Sequence, residues 1–105
     1  MNKKIPFSII FENKNIDFFL EAHRETKNPE HLTRISTEIL DVLDSSLKRN
    51  RISDGDLIQA LALVTAIRIY CSGFDPDKLR KFSDDLVKKT ISNIKSGKFT
   101  KIGSA

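Results

Sequence analysis

Residues 57–71 read LIQALALVTAIRIYC, and only Gln59, Thr65 and Arg68 break the apolar run. The 105-residue chain is 30% charged overall, so this segment decides how the rest is read. Fifteen helical residues span roughly 22 Å, short of the roughly 30 Å of a bilayer core. Arg68 and Gln59 lie inside it, and Asp54 and Asp56 stand at its mouth. A central Arg is costly in lipid, so the segment is not a membrane span.

On a helical wheel its large residues do not share one stripe. Leu57, Leu61 and Val64 take one side, Ile58 and Ile69 another, and Leu63 and Tyr70 a third. A helix apolar on every side is expected to be buried on every side. The flanking segments are amphipathic, which makes them its cover.

Those segments have sharp beginnings. Asn28-Pro29-Glu30 offers a cap, a proline at the first helical position and an acid at the positive end of the dipole. The helix it opens, to about Lys48, carries Leu32, Ile35, Ile39, Val42 and Leu43 along one stripe. Ser53 and Asp56 stand at capping-box spacing ahead of the apolar helix, which Gly73 closes with Phe74 behind it. Asp75-Pro76-Asp77 starts a last helix, with Leu79, Phe82, Leu86, Ile91 and Ile94 inward and Gly97 as the stop.

Upstream, Ile5–Phe11 alternates Phe7, Ile9 and Phe11 and reads as a strand. Glu12–Asn15 reads as a turn. Ile16, Phe19, Leu20 and His23 fall on one helical face, which predicts a short helix over about 16–24. A lone strand is not stable in water, so the first strand needs a partner. The tail 98–102 is one candidate, and the same strand of a second copy is the other.

The expectation is therefore a mainly α single domain over residues 1–105. It has one short N-terminal β-strand within 1–12, a short helix and three longer helices around a central buried helix at 57–72. Residues 98–105 are a flexible or strand-like tail. A chain of this length buries only about two-thirds of its unfolded surface and gains from a partner subunit.

Catalytic chemistry is hard to find. Cys71 is the only cysteine and has no nearby His, so it reads as a small core hydrophobe. One cysteine forms no intrachain disulfide, which suits a reducing cytoplasm. The segment after Met1 lacks a long apolar core and a small-residue cleavage site, unlike a signal peptide. His23 and His31 lack metal-ligand spacing, and Asp54-Gly55-Asp56 lacks the later ligands of a calcium loop. The four glycines are scattered singly, so no phosphate loop exists. No catalytic residue, metal or cofactor is expected, and the chain reads as a non-enzyme.

Three candidate surfaces remain. Gln59, Ala62 and Ala66 give a flat helix face where another helix approaches closely, either a neighbour in the same chain or a second copy in a two-fold dimer. Arg68, on the Leu57–Leu61 side, would bind an anion or pair with Glu38, Asp41 or Asp44. Lys81, Lys88 and Lys95 recur every seven residues, and Lys98 and Lys101 continue the basic end. Residues 76–105 hold 8 basic and 3 acidic side chains. Such a line suits nucleic-acid phosphates, but Asp84 and Asp85 dilute it and no reader motif accompanies it. The reading is a small non-catalytic interaction or regulatory protein acting as a homodimer, with a nucleic-acid-associated protein as the alternative.

Overall fold

A computed structural model describes residues 4–102. Its elements run β1 (Lys4–Phe11), β2 (Lys14–Glu21), α1 (Pro29–Arg49), α2 (Asp54–Tyr70), α3 (Pro76–Lys95) and β3 (Lys98–Lys101). The fold is α+β, with a three-stranded antiparallel sheet in the order β1-β2-β3. This overturns the mainly α expectation of one strand and four helices. The outermost residues of the expected N-terminal strand segment and of the expected tail, 1–3 and 103–105, lie outside the described residues.

The first correction falls on residues 16–24, expected as a helix: Lys14–Glu21 form a strand, and the chain leaves it before residue 22. β1 and β2 pair with Ile5 opposite Leu20, Phe7 opposite Phe18 and Ile9 opposite Ile16. These six side chains share one face, and Ile5, Ile16 and Phe18 are buried. The Phe7 and Phe18 rings stack at 5.9 Å, an aromatic cross-strand pair of the kind that stabilises sheets. The hairpin turns through Glu12 and Asn13, whose φ angles of 50° and 61° match the primed two-residue turns that suit strand twist.

β2 is thus the partner that β1 needs. The tail also becomes a strand, but it pairs with β2, placing Phe99 opposite Ile16 and Lys98 opposite Asp17. Beyond Asp17 the open edge of β2 meets the end of α3. There the Asn93 Oδ1 accepts a hydrogen bond from the Glu21 amide at 3.1 Å. Lys89 Nζ lies 3.2 Å from the Glu21 carboxylate. Gly97 allows the chain to pass this edge: a Cβ there would stand 2.6 Å from the Asp17 carbonyl oxygen and 2.8 Å from Phe18 Cβ.

The chain divides into two compact units, residues 1–29 with 84–105, and residues 30–83. The first contains all the buried apolar residues of the described chain: Ile5, Ile16, Phe18 and Ala22.

The second unit is helical. Its helices begin where the caps put them: the Ser53 hydroxyl accepts from the Asp56 amide at 3.1 Å, and the Asp75 carboxylate accepts from the Asp77 amide at 3.0 Å. Gly73 takes φ 86°, the left-handed conformation that ends α2. Phe74 behind it stays exposed.

The second correction concerns α2. No residue of α2 is buried, nor is any residue of α1 or α3. The 57–72 helix is therefore not a buried centre. Being apolar on every side creates a demand for cover, but α1 and α3 carry one narrow stripe each.

Candidate functional site

The feature that stands out is the surface of α2. Five of its large apolar side chains lie in water: Ile58 is 64% exposed, Leu63 61%, Val64 57%, Ile67 51% and Tyr70 77%. Only Leu57, Leu61 and Ile69 are half-covered. Burying a side chain of this size contributes about 1.5–3 kcal/mol. Five of them, partly exposed, leave on the order of 5–10 kcal/mol unrealised, comparable with the whole stability of a small domain. α1 adds to this, with Ile35, Ile39 and Val42 exposed along its stripe.

Gln59, Ala62 and Ala66 all lie on exposed α2 surface. Arg68 is exposed too and forms no ion pair among the described residues. Of the carboxylates expected to reach it, Glu38 lies 4.0 Å from Arg34 instead. With the helix in water, the guanidinium needs no partner. Cys71 is a free, exposed thiol at the C-cap of α2, which corrects its reading as a core residue.

Lys81, Lys88, Lys95, Lys98 and Lys101 are exposed. Strand geometry separates the last two, because side chains three apart in β3 point to opposite faces. Lys98 is drawn to Asp17 across the β2–β3 ladder, whereas Lys101 stands opposite Lys14.

The sheet unit holds an open groove of about 710 Å³, lined in part by Pro6, Ser8, Asp17, Phe19 and Glu21. Nothing in the residue pattern hinted at it, since Asp17, Phe18, Phe19 and Glu21 of its lining come from the strand read as a helix. Two of its polar groups, Ser8 and Asp17, are engaged with each other. The Ser8 hydroxyl donates to the Asp17 carboxylate, and the Asn15 amide donates to the same oxygen at 2.9 Å. Those two bonds, with the charge of Lys98, hold the Asp17 carboxyl below its ordinary range. Ser8 therefore faces an acceptor whose ionised form is favoured, with no imidazole in the groove lining to act as base.

His23 lies in the loop after β2, where its Nδ1 accepts from the Glu25 amide at 3.0 Å. His31 sits exposed in the first turn of α1. Among the described residues, no three His, Cys, Asp or Glu side chains come together as a metal site, and no helix is long and apolar enough to cross a membrane.

Fold and surface together define a small α+β protein with a sheet-bound core and an uncovered apolar helix. No protein-family model, curated protein or solved structure matches the chain.

Proposed function

We propose that this chain is a non-catalytic interaction protein that works as a homodimer, with α2 at the contact. One observation carries the reading: five large apolar side chains on a single helix lie half or more in water. Monomers scatter such residues singly, and a contiguous apolar surface marks a place where another surface sits. A second copy is the economical partner, since closed two-fold assemblies are the commonest form of oligomer. A cytoplasmic location fits the single free thiol of Cys71, which an oxidising compartment would tend to couple.

Sedimentation of the intact chain between about 1 and 100 µM tests this, with a dimer expected across the upper decade. A chain that stays monomeric throughout, with its helices intact by circular dichroism, overturns it.

A further inference from the structure

We propose that α2 pairs with the α2 of a second copy along the seam Ala60, Leu63, Ile67 and Tyr70, the two helices antiparallel and the two-fold axis level with Thr65. This rests on the homodimer reading and adds which helix face meets and in which direction.

The four seam residues are spaced three, four and three apart, the spacing at which two helices mesh along a common line. At 3.6 residues per turn they lie within about 40° of one line down α2. All four are exposed, and Leu63, Ile67 and Tyr70 are three of the five large apolar side chains that α2 holds half or more in water. Val64, a fourth, borders the line at about 80°. The half-covered Leu57, Leu61 and Ile69 stand about 100–140° away from it, and exposed Ile58 about 160° away. The seam is therefore where most of the exposed apolar surface of α2 gathers. With the bordering Gln59, Val64 and Ala66, also exposed, it offers roughly 600 Å² a copy, or about 1,200 Å² for the pair, enough for a specific interface.

Shape selects the second copy and the antiparallel sense. Leu63 and Ile67 stand equally far from Thr65, and so do Ala60 and Tyr70. Reversal about Thr65 sets each Tyr70 ring level with the partner's Ala60, large over small, and each Leu63 level with the partner's Ile67. A parallel pair would set Ala60 against Ala60 and Tyr70 against Tyr70, a gap at one layer and crowding at another. Charge agrees with shape. From Leu57 to Tyr70 the only charged side chain is Arg68, about 120° from the seam, so the face offers no counter-charge to a nucleic acid or an ionic partner. Asp56 stands in line with the seam at its N-terminal end. Antiparallel pairing holds the two Asp56 carboxylates about 27 Å apart along the axis and opposes the helix dipoles, whereas parallel pairing brings like charges together.

Engineered cysteines in a Cys71→Ser background read the geometry directly. Chains carrying Ala60→Cys and chains carrying Tyr70→Cys, mixed and mildly oxidised, are expected to give a mixed disulfide-linked dimer. Neither is expected to link to itself, since antiparallel pairing separates like positions by about 15 Å along the helices, beyond the reach of a disulfide. Thr65→Cys, level with the axis but on the far side of the helix, is expected not to link. Self-linking of Ala60→Cys or Tyr70→Cys overturns the antiparallel sense, and linking through Thr65→Cys overturns the face. A dimer by sedimentation that no variant or mixture links overturns the seam and leaves the homodimer reading standing. A monomer by sedimentation removes both.

Exchanging large for small gives a second readout. Ala60→Tyr sets two tyrosines in one layer and is expected to weaken the dimer at least about tenfold. Adding Tyr70→Ala is expected to restore most of that loss, because the layer is again large over small. Additive weakening in the double variant contradicts the register.

Discussion

The sheet unit and the helical unit spend their apolar residues differently. In the sheet unit, Ile5, Ile16, Phe18 and Ala22 are buried by neighbours from the same chain. Between residues 30 and 83 the chain is at least as rich in Leu, Ile and Val, yet nothing there is buried. A hairpin carries its own partner strand two residues away. A helix that is apolar on every side finds no such local solution. The first unit therefore owes its core to chain connectivity, while the helices of the second leave large apolar side chains exposed.

Substitutions should separate the two. Phe18→Ala removes the buried ring stacked on Phe7, and a loss of about 3–5 kcal/mol is expected, independent of protein concentration in thermal or urea unfolding. Ile67→Glu places a charge on the proposed contact of both copies. A 30- to 150-fold weaker dimer is expected by sedimentation, equivalent to about 2–3 kcal/mol, with the sheet signals in NMR spectra unchanged. Were Ile67→Glu to cost as much at infinite dilution, the helix would be covered by its own chain and the contrast would fail.

Gly97→Ala sharpens the sheet side. A methyl group there collides with the Asp17 carbonyl and Phe18 Cβ, and a loss of about 1–3 kcal/mol is expected from overpacking. The unfolding midpoint should fall while the dimer constant stays put.

The smallest effect is that of pH. Asp17 has a folded pKa below its unfolded value, because Ser8 and Asn15 donate to the ionised carboxylate. Its contribution is complete above the unfolded value of about 4 and fades as pH falls through the lower folded value. Ser8→Ala should raise the Asp17 pKa toward the ordinary carboxylate value in an NMR titration, and an unmoved titration would remove this cause.

Much of the architecture was legible in the residues. Asn28-Pro29, Ser53 with Asp56, and Asp75-Pro76 signal local hydrogen-bonding needs, and all three helices start there. β1 was legible from its alternation.

β2 was not, because two periods coexist in its sequence. Ile16, Phe19, Leu20 and His23 suit a helix, and Ile16, Phe18, Leu20 and Ala22 suit a strand. Phe19 tipped the reading, yet it is exposed on the outer face. What settles the contest is pairing with β1 and β3, which is non-local. The turn hid too: Glu12-Asn13 takes positive φ without the glycine that usually announces it.

For the candidate surface, composition showed that α2 is apolar all round and that Ala62 and Ala66 make it flat. It did not show whether α2's own neighbours suffice to cover it. That depends on how many apolar stripes reach the helix in three dimensions.

Sedimentation equilibrium of the intact chain between about 1 and 100 µM, with thermal unfolding followed over the same range, tests the central claim most directly. The account predicts a species of about 24 kDa, twice the 11.9 kDa chain, and a helical melting temperature that rises with concentration. An 11.9 kDa species at every concentration, melting cooperatively at one fixed temperature, would contradict it.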